Sequence, residues 1–180
     1  MIYVFLADGF EETEALVCVD VLRRCGIDTQ TVGISGKQIT GSHGISVIAD
    51  TTDENLLPDE HLTGIILPGG LPGTTNLDAT DTVHSFLEFC HENDLIIAAI
   101  CAAPSILGKK GYLKNKRATC NRGFEKHLDG AVFTGSSVET DGKIVTGRSM
   151  GCSIDFAFAV ANKFADEETV QKVRETILCP

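Results

Sequence analysis

Residues Leu95 to Pro104, reading LIIAAICAAP, constrain the fold more than any other stretch of this chain. An apolar run with two adjacent isoleucines stops at a cysteine, and two alanines and a proline follow at once. The run has the composition of a central parallel strand, and Ala102, Ala103 and Pro104 suit the first turn of a helix, where a proline loses no hydrogen bond. Cys101 is therefore expected at a sharp bend from strand into helix. Ligands of open α/β sheets bind at the carboxyl ends of strands, and a sulfur near the start of a helix is expected to ionise below the ~8.5 of a free thiol. The ordinary alternative is a small buried core cysteine. Position is what favours a reactive thiol here.

The flanking sequence supplies the remaining parts of such a sheet. Ile2 to Ala7 reads as a strand, and Glu11 and Glu12 begin a helix that runs to about Cys25 and closes at Gly26. Counted from Glu14, Cys18, Val21, Leu22 and Cys25 fall on one helical stripe, so Glu14 lies on the side that faces the sheet. A carboxyl group buried there without a cation has a raised pKa and is able to donate a hydrogen bond while neutral. The alternative is a glutamate at a helix end reaching water, which Glu11 and Glu12 are expected to do and which periodicity alone leaves equally open for Glu14. Ile27 to Gly33 completes a β-α-β unit with a right-handed crossover, two short strands follow around Ile39 and Ile45 to Ile48, and Asp53 to Leu62 is a polar connection with one helical turn.

Gly64 to Leu67 is a further strand. It enters Pro68-Gly69-Gly70-Leu71-Pro72-Gly73, where paired glycines let backbone amides approach a ligand as in an oxyanion cradle, the ordinary alternative being a tight turn. The spacing matches neither G-x-G-x-x-G nor a Walker A loop, which argues against a nucleotide site. An amphipathic helix spans Asp81 to His91. Beyond the cysteine come a strand near Lys116 to Cys120, a helical stretch near Phe124 to Leu128, and a hairpin of Ser137 to Thr140 and Lys143 to Thr146 turning at Asp141-Gly142. Helices from Ser153 to Phe164 and from Glu167 to Leu178 close the chain. Residues 1–180 thus read as a single α/β domain with helices on both faces of a mainly parallel sheet.

Charge and cysteine content narrow the partners. A net charge of −10 disfavours nucleic acid and anionic membranes as partners. The one basic cluster, Lys109, Lys110, Lys114, Lys116 and Arg117, reads as a solvated loop. No apolar stretch approaches the ~20 residues that span a bilayer, and Met1 leads directly into a strand, so a cytoplasmic location is expected. Seven cysteines without C-x-x-C spacing indicate reduced thiols and no metal site.

Four motifs taken together, GFEETEA at Gly9 to Ala15, LPGG at Leu67 to Gly70, AAICAAP at Ala98 to Pro104 and IDFAFAV at Ile154 to Val160, resemble the ThiJ/PfpI superfamily over nearly the whole chain. The similarity is to the branch containing the parkinsonism-associated redox and deglycase-type protein. The resemblance implies a flavodoxin-like three-layer sandwich, a homodimer, and a nucleophile-elbow cysteine that matches Cys101. It places Glu14 as the protonated glutamate at the sulfur, Gly70 and Ala102 as backbone donors, and Gly69 beside them. Three departures stand out. Ala102 replaces the histidine of the protease-like branch, so peptidase activity is not expected. Cys120 stands where many members have a histidine, which puts a second thiol within a few ångströms of Cys101. His43 stands where some relatives place an arginine that approaches the cysteine across the dimer, and Arg24 matches a second arginine of that region.

The implied activity is of the glyoxalase or deglycase type, on a small reactive carbonyl compound and without metal or organic cofactor. The alternative is an oxidative-stress sensor or protective partner in which an oxidant converts Cys101 to sulfinic acid.

Overall fold

The computed structural model describes residues 1–179. The chain opens with β1 (Ile2–Leu6), α1 (Glu12–Arg24) and β2 (Thr29–Gly33), and β1 lies parallel to β2 from Ile2 opposite Thr29 to Leu6 opposite Gly33. β3 (Gln38–Thr40) and β4 (Ser46–Ile48) form a separate antiparallel hairpin, and β5 (Thr51–Thr52) returns to the sheet beside β2. The helical turn expected between Asp53 and Leu62 does not form. Asn55 takes a left-handed backbone (φ +60°), and Pro58 would interrupt any helical ladder there.

β6 (Gly64–Leu67), α2 (Gly73–Asp78), α3 (Asp81–Glu92), β7 (Ile96–Ile100) and α4 (Pro104–Lys109) build the centre. All five residues of β7 are buried, which is why this strand reads as an unbroken apolar run instead of alternating. β8 (Arg117–Ala118) and β9 (Val132–Phe133) pair in a small parallel ladder, followed by the hairpin of β10 (Val138–Asp141) and β11 (Ile144–Gly147). Its turn is Gly142-Lys143, one residue later than the sequence suggests, because Asp141 pairs with Ile144 and Gly142 supplies the positive φ. A 3₁₀ turn at Met150–Cys152 leads into α5 (Ser153–Ala161), and α6 (Glu167–Thr176) ends the fold.

The main sheet has the order β10-β11-β7-β6-β1-β2-β5, parallel except for β10 against β11. One face is covered by α1, α5 and α6 through Cys18, Leu22, Phe156, Phe158 and Val170, and the other by α2, α3 and α4 through Leu77, Phe86, Leu87, Ile106 and Leu107. This is the three-layer flavodoxin-like sandwich expected from the sequence, with β7 near its middle. The basic cluster is exposed at Lys109, Lys114 and Arg117 and half-buried at Lys110 and Lys116, and much of its charge is spent. Lys109 pairs with Asp78 (2.6 Å), Lys116 with Asp141 (3.7 Å), and Arg117 grips Glu139 with Nε (3.2 Å) and Nη2 (3.0 Å).

Candidate active site

At the carboxyl end of β7 the chain turns so sharply that Cys101 adopts φ +65°, a left-handed conformation that is strained for a residue with a Cβ. Both of its peptide groups are held. Its amide donates to the Gly147 carbonyl at the end of β11 (2.9 Å), and its carbonyl accepts from the Asn121 amide (2.8 Å). The thiol is consequently fixed at the rim of the sheet with 7% of the residue exposed.

Glu14 reaches this thiol from the first turn of α1, as its helical stripe requires. It is fully buried, and its Oε2 accepts from the Gly69 amide (2.9 Å). Its Oε1 is buried without a hydrogen-bond partner, and the Cys101 thiol and the Gly69 and Met150 amides favour the ionised form of the carboxyl. Burial outweighs them and pushes the Glu14 carboxyl up to about 7. Gly69 is glycine for a steric reason: a Cβ there would stand 2.5 Å from the Cys101 Cβ, 2.7 Å from Glu14 Oε2 and 3.1 Å from the Cys101 sulfur. Carboxyl and thiol therefore close on the same point of the glycine loop.

The expected lowering of the Cys101 pKa is not what the structure gives. Burial, and then the neighbouring Glu14 carboxylate, push the thiol up to about 11, against the Asn121 side chain and the Gly70 amide, which favour the thiolate. α4 begins only at Pro104, and the ~0.3–1 kcal/mol that a helix end contributes falls off within its first turn. Glu14 and Cys101 are consequently one titrating unit. Between about 7 and about 11 the pair carries a single proton, and whichever group holds it leaves the other as the anion.

Glu12 is also not where the sequence reading puts it. It is 4% exposed and organises the 41–45 turn, accepting from the His43 amide (2.8 Å), His43 Nδ1 (2.9 Å), Ser42 Oγ (3.5 Å) and the Ile45 amide (3.4 Å). Burial works to raise its pKa, but these donors hold it below the ordinary glutamate value, and the same contact raises His43. His43 thus faces Glu12 and water within its own chain. Arg24 pairs with Asp20 (2.7 Å) at the far end of α1, about 15 Å along the helix from Glu14.

Cys120 does not itself contact the sulfur. It is completely buried among the side chains beneath α3 and α4. Burial, then Glu125 and then the nearby Cys101, push its thiol up to about 12, and both cysteines are free. The next residue takes the place at the sulfur: Asn121 Nδ2 donates to Cys101 Sγ at 3.2 Å, and Asn121 Oδ1 is held by the Arg122 amide at 2.7 Å, which fixes the amide orientation. Alternation along an extended segment explains the exchange, because successive side chains point to opposite faces. Ser149 Oγ lies 4.0 Å from the sulfur, and its neighbour Cys152 donates to the Ser137 and Ser149 carbonyls (3.0 and 2.9 Å). Asn121, Ser149 and Cys152 are absent from the sequence reading. The available signal was their placement just past β8 and β11, since the loop after β11 must lie beside the loop after its parallel neighbour β7. A cavity of about 420 Å³ opens next to the thiol, lined by Asn121, Arg122, Ser137, Arg148, Ser149, Gly151 and Cys152.

A strained cysteine between β7 and α4, a buried carboxyl from α1 and a glycine loop after β6 define a flavodoxin-like protein with a nucleophile-elbow cysteine. The model of the DJ-1/PfpI family matches residues 1–163, and the chain belongs to that family. It is 32% identical over 178 residues to protein dj-1beta of Drosophila melanogaster, covering 97% of this chain and 95% of that protein. It is 31% identical over 183 residues to the Parkinson disease protein 7 homolog of Danio rerio, again covering 97% and 95%. Among solved structures, Drosophila melanogaster DJ-1beta superposes with a TM-score of 0.92 at 32% identity over 99% of this chain and 97% of that one. Oxidized Toxoplasma gondii DJ-1 superposes with a TM-score of 0.92 at 26% identity over 98% and 97%.

Proposed function

We propose that the protein consumes small α-oxoaldehydes, or the adducts they form with thiols and amines, by covalent catalysis at Cys101. The observation that carries this reading is the one-proton pair: a carboxyl with a pKa of about 7 buried against a strained thiol. Transfer of the thiol proton to Glu14 gives a thiolate that attacks the aldehyde carbon, forming a C–S bond and an alkoxide. The Gly70 amide, which favours the thiolate, and the Ala102 amide, a donor by the family resemblance, stabilise the developing alkoxide, and Glu14 returns the proton to give a hemithioacetal. Glu14 then removes the C–H proton from the former aldehyde carbon and the adjacent ketone carbon is protonated in turn, which leaves a thioester next to a hydroxyl-bearing carbon. Water cleaves the thioester to a 2-hydroxy acid and restores the thiol. The aldehyde carbon is oxidised and the ketone carbon reduced within one molecule, so the electrons balance without an acceptor. Under the same reading the chain works as a homodimer in the cytoplasm.

The test follows methylglyoxal loss and lactate formation by the parent and by Cys101→Ser; equal rates would end the catalytic reading. A second reading, an oxidation sensor, is favoured by the donors around the sulfur, since Asn121 Nδ2 and the Gly70 amide would equally hold a sulfinate. Graded peroxide followed by peptide mapping separates the two. A sensor gains two oxygens at Cys101 before any other thiol reacts, and oxidation scattered over the seven cysteines rules it out.

A further inference from the structure

The chain has six arginines, and their partners divide them sharply. Arg23 pairs with Asp50 (2.7 Å), Arg24 with Asp20 (2.7 Å) and Arg117 with Glu139 (3.0 Å), while Arg174 stacks over the Phe158 ring at 4.1 Å. Among the described residues, Arg122 and Arg148 alone have neither a carboxylate nor an aromatic partner, and both line the cavity beside Cys101. That lining includes no aspartate or glutamate, in a chain with 25 acidic and 15 basic residues. The acid nearest in sequence to Arg122, Glu125, is turned back to accept from the Gly123 amide (2.7 Å). Both guanidiniums are exposed and neither forms an ion pair, so the negative charges nearest the cavity, the pair of Glu14 and Cys101 and the Glu125 carboxylate, leave their donors unoccupied by any anion.

Backbone geometry ties both guanidiniums to the reacting atom. Arg122 directly follows Asn121, whose Nδ2 holds the sulfur, and its own amide orients that side chain. Arg148 directly precedes Ser149, whose hydroxyl is 4.0 Å from the sulfur. Only its Nη1 is engaged, donating to the Gly135 carbonyl (2.9 Å), which fixes the head group while leaving its other N–H donors free. The Ser137 and Ser149 hydroxyls complete a lining of donors.

We propose that this cavity is an anion subsite, and that the preferred substrate of Cys101 is an α-oxoaldehyde whose far end bears a carboxylate or phosphate. The reactive carbonyl meets the sulfur between Asn121 and Ser149, and the anionic end lies between Arg122 and Arg148, where a guanidinium presents paired donors to an oxyanion. The proposal rests on the catalytic reading above for its chemistry but not for its charge selectivity. For γ,δ-dioxovalerate the reaction would be the same internal redox isomerisation and hydrolysis, with α-hydroxyglutarate as product.

Charge selectivity is measurable without turnover. Cys101 is alkylated with iodoacetate and, separately, with iodoacetamide, and modification of the Cys101 peptide is followed by mass spectrometry. The neutral reagent reports thiolate supply, so the ratio of the two rates reports the field of the cavity. Removing both charges in Arg122→Gln/Arg148→Gln should lower that ratio about fivefold to tenfold, the size expected of two exposed guanidiniums acting on one anion, and added salt should lower the parent's ratio in the same direction. The single variants should each give part of the fall, which keeps the test open if the double variant folds poorly. In turnover, kcat/KM for γ,δ-dioxovalerate should exceed that for its methyl ester in the parent and lose this advantage in the variants; a phosphate-bearing α-oxoaldehyde preferred over both assigns the subsite to phosphate. An unchanged alkylation ratio overturns the anion subsite whatever the turnover. A falling ratio with no turnover of methylglyoxal or dioxovalerate overturns the catalytic reading and leaves the subsite standing.

Discussion

Replacing Glu14 by glutamine removes a charge that the fold holds at a cost. The carboxyl is fully buried and its pKa stands at about 7 against an ordinary 4.5, so the native state binds its proton more tightly than the unfolded chain. Below pH 4.5 both states are protonated and the group is neutral in the balance. As pH rises from 4.5 to about 7 the unfolded chain ionises first, and native stability falls by about 3 kcal/mol in total before levelling off. Glutamine keeps an oxygen for the Gly69 amide and cannot ionise. At pH about 8 the Glu14→Gln protein should therefore be more stable than the parent by up to ~3 kcal/mol, with the gain vanishing near pH 4.5. Chemical denaturation of both proteins at several pH values gives this difference directly. Subtracting the two curves removes the titrating groups that do not interact with Glu14, including His43, whose raised pKa also contributes stability that is lost as pH rises; Cys101, which is coupled to Glu14, does not cancel. A parent-to-variant difference that does not change with pH would refute the burial of an ionisable carboxyl at the thiol. The same variant relieves the thiol of its anionic neighbour, so the Cys101 pKa should move down from about 11.

Alkylation of Cys101 by iodoacetamide should rise with pH in two steps, near 7 and near 11, as the pair loses its first and second protons; a single step near 9 would mean that the two groups do not interact. Asn121→Ala removes the donor 3.2 Å from the sulfur and should slow that alkylation about tenfold at neutral pH, measured at equal fold by circular dichroism; an unchanged rate would show that the bond does not favour the thiolate. Gly69→Ala places a methyl 2.5 Å from the Cys101 Cβ, and denaturation should report a loss of about 1–3 kcal/mol together with lost thiol reactivity, whereas a neutral outcome would mean the loop relaxes. Mild peroxide should give no Cys101 to Cys120 crosslink in monomeric protein, because Cys120 is completely buried and Asn121, the next residue, occupies the place at the sulfur; recovery of that disulfide by peptide mapping would contradict this arrangement.

The parts of this molecule that follow from the order of residue types were readable in the sequence. Strands such as Ile96–Ile100 announce themselves because burial on both faces demands an apolar run, and Glu14 could be placed on the sheet side of its helix because a period of 3.6 leaves little freedom. Cys101 followed from the same logic, being the residue at which strand geometry stops. What lay beyond reach were the effects that depend on which distant segments meet. Glu12 and Glu11 are adjacent in sequence, yet only Glu12 is buried, because the 41–45 turn folds over it and supplies its donors. The direction of the Cys101 pKa needed the depth of its burial first, and then one carboxylate set against two donors. Cys120 and Asn121 exchanged places because a half-step along an extended chain reverses the face, and no single-chain pattern fixes that phase for a two-residue strand. Local sequence dictates which face a residue takes within its own element, but the electrostatics of a site come from groups tens of residues apart, and only tertiary packing brings them within range of one another.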